Sequence, residues 1–166
     1  MNVCRATTAD EIALARRLFE EYAAWLGVDL SFQGFAAELA GLPGAYAPPG
    51  GRLLLGLADS EAAGCVALRP LGDGVCEMKR LFVRPAFRGQ GVGRVLTGRI
   101  VDEARAIGYR TMRLDTLPAM QAALRLYREL GFVPCAAYYP TPLPDTVFME
   151  LQLQADVRRS PDNSID

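Results

Sequence analysis

Histidine is missing from all 166 residues, and lysine occurs once, as Lys79, beside 17 arginines. The first absence takes imidazole out of any proton-transfer chemistry, which is left to carboxylates, tyrosines, cysteines, the one lysine or water. It also deprives the four cysteines of the partners a mixed zinc site would need. None of them forms a Cys-x-x-Cys pair, so no metal is expected. Cys4, Cys65, Cys76 and Cys135 stand in apolar, strand-like company and are expected as buried, reduced thiols, which points to the cytoplasm. No apolar run approaches the roughly 20 residues that span a bilayer, and "MNVCRATTADE" lacks the basic-then-apolar order of a secretory leader. Neither a membrane nor export is expected. A net charge of −1 leaves no general basic face for nucleic acid.

What is present is a globular pattern, 51% hydrophobic and 22% charged, of a length suited to one core. Val3–Ala6 is a short strand. Thr8 with Glu11 three positions later is a capping box, and Ile12, Ala15, Phe19, Tyr22 and Leu26 continue at helical spacing. A second helix is expected from Ser31 to Leu42, stopped by Pro43. After the loop "PGAYAPPGG" come three strands, Arg52–Ala58, Ala62–Pro70 and Val75–Val83, turned by "ADSEA" and "LGDG". Val92, Val95, Leu96, Ile100, Ala104 and Ile107 stripe a helix that Gly108 ends. "RTMRLDT" is a strand, and Pro118 is expected to open a helix that Gly131 closes. "FVPCAAYY" and "TVFMELQL" are the last strands. The order β-α-α-β-β-β-α-β-α-β-β is an α/β architecture with a single mixed central sheet flanked by helices. It occupies residues 1–153 as one domain, and residues 154–166 form a polar tail expected to be flexible.

The densest chemical signal is "RPAFRGQGVGRVL", residues 84–96, where glycines and arginines meet the start of a helix. Unpaired N–H groups at a helix N-terminus attract anions, and Gly89, Gly91 and Gly93 let a ligand come close to the main chain. From Lys79 to Arg99 the chain carries six basic residues and no acidic one. A glycine-rich turn beside a solvated arginine face is the plainer reading of the same composition. The two familiar phosphate fingerprints do not fit. Gly93 is followed by Arg94 and Val95, not Lys-Ser/Thr, and the last small residue of a dinucleotide loop is replaced by Leu96 or Arg94, depending on the start.

The stretch Arg88-Gly89-Gln90-Gly91-Val92-Gly93 resembles the pyrophosphate motif of the GNAT superfamily of acyl-CoA-dependent N-acyltransferases. "MKRLFVRPAFRGQG" before it and "AALRLYRELGF" after it resemble that family's strand and later helix, and the element order is similar over residues 1–153. The resemblance implies acetyl-CoA as cosubstrate, no metal, and a small-molecule amine as the other partner. It further implies direct attack in a ternary complex, with nucleic acid and membrane excluded and the protein a monomer or homodimer. Cofactor contacts would come from Leu81, Phe82, Val83, Arg88, Gly89, Gln90, Gly91, Val92, Gly93 and Arg94, the oxyanion being held by main-chain N–H, chiefly that of Leu81.

Glu77 stands where histone-acetylating relatives carry their base; it could equally be a strand glutamate paired with an arginine or with Lys79, and water could serve as base. Tyr127 resembles the tyrosine that protonates the departing thiolate, or is a core tyrosine. Met120 replaces an asparagine found in many relatives. For the acceptor, the family layout would bring together Tyr22, Trp25, Phe32, Tyr138 and Tyr139 with Lys79 and Arg80. One cation in a compact, partly apolar pocket suits a carboxylated amine such as an amino acid. The alternatives are a peptide amine as acceptor, or a CoA-binding sensor without turnover.

Overall fold

The computed structural model describes residues 1–154; the expected flexible tail lies, from residue 155 on, outside the described residues. Seven strands form one sheet in the order β1-β2-β3-β4-β5-β7-β6: β1 (Asn2–Arg5), β2 (Arg52–Ala58), β3 (Glu61–Gly72), β4 (Val75–Val83), β5 (Thr111–Thr116), β6 (Val133–Pro134) and β7 (Val147–Gln152). All neighbours are antiparallel except β4 and β5. Helices α1 (Ala9–Leu26) and α2 (Phe35–Ala40) cover one face; α3 (Val92–Ile107) and α4 (Gln121–Glu129) cover the other.

Sequence chemistry sets most boundaries. Thr8 Oγ1 accepts from the Glu11 N–H at 3.2 Å while the Glu11 carboxylate accepts from the Thr8 N–H at 2.9 Å, the reciprocal cap expected. Gly27 ends α1 in the left-handed region. The second helix departs from expectation. Gly34, at φ 68°, divides it into a 3₁₀ turn (Ser31–Gln33) and the six-residue α2. Helix α4 starts at Gln121, not Pro118, which lies in the preceding turn. Only Val133–Pro134 of "FVPCAAYY" pairs as strand, and the rest runs on as loop to β7.

Alternation gives two cores. Leu54, Val66, Leu68, Cys76, Met78, Met112 and Leu114 pack toward α3 and α4, with Leu96 and Ile100 fully buried among them. Leu53, Leu55, Cys65, Ala67 and Phe82 pack toward Ala15, Leu18 and Phe19 of α1. Cys65 and Cys76 are buried as expected, whereas Cys4 and Cys135 are only half-buried; all four are free thiols.

Strand β4 is irregular in two places. First, β4 and β5 pair only at Val75–Thr111, Cys76–Met112 and Glu77–Arg113, and then part. Beyond Glu77 the β5-facing edge of β4 has no strand partner, so the sheet opens. Second, β4 carries a bulge. Cys65 faces Phe82 and Ala67 faces Lys79, so Arg80 and Leu81 together oppose the single residue Val66. Arg80 occupies the left-handed region at φ 60°. The extra residue shifts the phase, and Glu77, Lys79, Arg80 and Phe82 all lie on the α1–α2 face.

Candidate active site

The opening between β4 and β5 is continuous with a cavity of ≈ 520 Å³, walled by Leu81, Phe82 and Val83, the loop Phe87–Gly91, the start of α3 and the Ala119–Ala123 segment. Gly91 is the N-cap of α3 at φ 79°, and Gly89 has φ 76°. A β-carbon on either would meet nothing within 4 Å, so both face open space. The first intrahelical bond runs from Val95 N–H to the Gly91 carbonyl at 3.1 Å, which leaves the N–H groups of Val92, Gly93 and Arg94 without helical acceptors. Gly93 packs where a side chain would approach Leu126 and Val83 at 3.6 and 3.7 Å. An anion is thus offered converging N–H donors at the positive end of a four-turn helix.

The arginines are less free than the sequence suggests. Arg88 stacks over Trp25 at 4.5 Å and donates from Nε to the Val83 carbonyl at 3.0 Å. Arg94 is paired with Glu129. Gln90 donates to the Ala86 carbonyl at 3.2 Å, stiffening the loop from behind. Trp25, expected at the acceptor, stands instead in the wall of this larger cavity, because it lies at the last turn of α1 against Phe82.

A second, narrower cavity of ≈ 60 Å³ lies next to the first and shares Leu81, Met120 and Ala123 with it. Its polar wall is Tyr22, Gln33, Lys79, Arg80, Asp115 and Tyr127. Tyr127 is 6% exposed, and burial raises its pKa well above a phenol's ordinary value. Its hydroxyl has no hydrogen-bond partner among the described residues. Lys79 donates to Gln33 Oε1 at 3.2 Å, and burial lowers its pKa against the opposing pull of Glu77.

Glu77 is fully buried and lines neither cavity. Arg69 Nε donates to Oε1 at 2.8 Å, Tyr138 Oη donates to Oε2 at 2.6 Å, and Lys79 Nζ lies 3.8 Å from Oε1. The carboxylate expected as base therefore reaches the cavity only through Lys79; Tyr138 and Tyr139, expected at the acceptor, line neither cavity, being turned onto Glu77 and Asp115. Arg80, expected beside the acceptor, lines the small cavity, but its charge is already paired: Nε and Nη2 hold Glu38 of α2 at 2.9 and 3.1 Å. Tyr139 donates to Asp115 Oδ2 at 2.5 Å; the Tyr138 and Tyr139 hydroxyls face carboxylates, and burial raises both pKa values. Phe32 lies outside the cavity wall, and its neighbour Gln33 takes the place.

Sequence reasoning missed Gln33, Asp115 and Leu143. Alternation in "RLDT" puts Asp115 on the face opposite Leu114, but only the parting of β4 and β5 turns that position into a cavity wall.

Comparison with known proteins agrees with this geometry. A family model described as the acetyltransferase (GNAT) family matches residues 13–132. An uncharacterised N-acetyltransferase of Schizosaccharomyces pombe is 41% identical over 140 residues, 83% of this chain and 86% of that protein. An L-amino acid N-acyltransferase of Escherichia coli is 38% identical over 87 residues, 49% of each chain. Among solved structures, an acetyltransferase of Salmonella typhimurium with its cofactor acetyl-CoA superposes with TM-score 0.71 at 27% identity, covering 98% of both chains. With a matching fold, an open β4–β5 edge and a glycine-capped anion site, the chain belongs to the GNAT family of acyl-CoA-dependent N-acetyltransferases.

Proposed function

We propose that the protein transfers the acetyl group of acetyl-CoA to the amine of a small carboxylated molecule, an amino acid or a close relative. The observation that carries this reading is the adjacency of the two cavities. The large one offers N–H donors for a pyrophosphate and an apolar wall for the pantetheine arm. The small one holds a lone ammonium, Lys79, beside Tyr127. Its ≈ 60 Å³ suits the reacting end of a small molecule better than a polycation or a protein tail. The L-amino acid N-acyltransferase similarity over half the chain supports the same class.

In this reading the β4 edge past Glu77 supplies main-chain N–H groups, chiefly that of Leu81, to the thioester oxygen. Tyr127, kept protonated by burial, hands its proton to the departing sulfur. The acceptor amine attacks directly, held close and aligned, which is a major part of the rate. Lys79 takes the acceptor carboxylate. Glu77 supports it from behind: a buried carboxylate between Arg69, Tyr138 and Lys79 fixes the lysine's position and keeps it charged despite burial.

The test is a side-by-side screen of amino acids, aryl amines, polyamines, aminoglycosides and lysine peptides with acetyl-CoA. Carboxylated small amines are expected to lead, and Lys79→Met is expected to raise their KM at least about tenfold, the loss of a charge-assisted hydrogen bond. A preference for polycations or peptides overturns the reading, as does an unchanged KM in Lys79→Met.

A further inference from the structure

Four acids on the α1–α2 side of the sheet and its rim are paired with arginines. Glu77 has Arg69, Glu38 has Arg80, Glu21 has Arg84 and Glu150 has Arg113. Asp115 breaks the pattern. It stands at the end of β5, in the wall of the small cavity, and its one hydrogen bond among the described residues is from the Tyr139 hydroxyl at 2.5 Å. No ion pair within 4.0 Å joins it to any described cation, Lys79 included. A carboxylate in such a position, left with one neutral donor, has unused acceptor capacity directed at whatever enters.

The groups around it are Lys79 of β4, Tyr22 of α1, Tyr127 of α4, and Tyr138 and Tyr139 of the loop before β7. The Asp115 charge bears on the ionisation of each of them. Asp115 and Lys79 are thus an acid and a base on opposite sides of one cavity. They come from the two strands that part there, and Tyr127 lies on the same wall. A molecule with an ammonium and a carboxylate would bridge them.

We infer that Asp115 binds the ammonium of the acceptor and takes its proton ahead of attack, so that the freed amine forms the C–N bond, Tyr139 fixing the carboxylate's orientation. This deepens the function proposed above and rests on its acceptor cavity. The proton account closes with two N–H protons. The first passes from the ammonium to Asp115 and on to water, freeing the lone pair that forms the new C–N bond; the second leaves the nitrogen as the tetrahedral adduct collapses and the C–S bond breaks, and through solvent it replaces the proton that Tyr127 gives to sulfur. In the small cavity this gives a role to the single acid that no arginine neutralises.

The proposal separates acceptors by the charge of their nucleophilic nitrogen. An ammonium needs Asp115. An aminooxy nitrogen, neutral at neutral pH, has no proton to surrender before attack. Asp115→Asn keeps the size and the Tyr139 contact while removing the charge. The experiment measures kcat/KM of wild type and Asp115→Asn, with acetyl-CoA, for the best ammonium acceptor of the screen and for aminooxyacetate, which carries a carboxylate on a neutral nucleophile. Calorimetric titration with acetyl-CoA reports whether the variant is folded and loads the cosubstrate. The expected result is a loss of about 100-fold or more on the ammonium acceptor, in the range of general-base removal, with aminooxyacetate turnover and acetyl-CoA affinity nearly unchanged. Equal losses on both acceptors, or no loss on either, overturn the assignment. Should the best acceptors carry no carboxylate, the amino acid reading fails while this one is decided by the same comparison, with methoxyamine as the neutral nucleophile.

Discussion

The acid role proposed for Tyr127 rests on a conflict between its position and its ionisation. Helix α4 lays it against Phe132, ring centroids 5.7 Å apart, and buries all but a small part of it. A phenolate there would be desolvated, so the phenol keeps its proton at neutral pH; in the proposed reading it gives that proton to a thiolate whose own basicity is raised by leaving into a cavity poor in water. Tyr127→Phe keeps the ring and its packing and removes only the donor. It is expected to lower kcat by roughly 10²–10⁴-fold, the range of a lost general acid, with the acetyl-CoA KM nearly unchanged. Steady-state kinetics on the best acceptor measures both; an unaltered kcat would return the tyrosine to the core. The sequence singled this residue out only through the resemblance of "LYRELGF" to the family's tyrosine-bearing helix. Pairing of Glu77 with Lys79 or an arginine was legible from the strand, but which arginine, and the tyrosine, were not. Arg69 meets it across the β3–β4 pairing, and Tyr138 arrives from a loop whose path no local pattern determines.

At the scale of elements, the proposed cofactor site rests on the N-terminus of α3 and the strand before it. Gly91 adopts φ 79° with open space where a β-carbon would stand. Both facts are used: the conformation aims the following N–H groups, and the open space admits the ligand. A β-branched residue there is strained and also fills the approach. Gly91→Val is expected to weaken acetyl-CoA binding by about 2 kcal/mol or more through lost charge-assisted contacts, and to destabilise the fold by about 1–2 kcal/mol through left-handed strain. Calorimetry gives the first and urea unfolding the second; wild-type affinity in a folded variant would remove the anion site from the account. Helix ends at Thr8 and Gly108 were readable because caps are local chemistry. The β4 bulge was not. Nothing in "MKRLFV" marks Arg80 as left-handed, and that conformation goes with a guanidinium at the cavity wall paired with Glu38.

Across the whole molecule, alternation and helical spacing made the mixed sheet and its two cores legible, while the parting of β4 from β5 depends on strand geometry far apart in sequence. The opposite half of the sheet is closed by charge. Glu103 of α3 is 4% exposed; Arg5 of β1 reaches it at 3.1 and 2.8 Å, Arg52 of β2 at 2.8 Å, and Arg99 of its own helix at 3.2 Å. This one carboxylate ties the first two strands to the helix that carries the anion site. Burial pushes its pKa up, but hydrogen bonds from Arg5 and Arg52 and the surrounding positive charge outweigh burial and hold it below the ordinary 4.5. A carboxyl with a lowered folded pKa adds stability that is fully present above its unfolded pKa and is lost as pH falls through the folded value. Glu103→Gln keeps the shape and an acceptor oxygen but drops the charge. At neutral pH it should unfold about 2 kcal/mol more easily, since bonds to a charged group are weakened and buried arginine is left less compensated. The difference should shrink as pH drops below 4.5, because the wild-type carboxyl is then neutralised as well. Urea midpoints of the two proteins, followed from neutral pH into acid, measure it. A gap that stays constant through the acid range would mean the network contributes by packing rather than by charge.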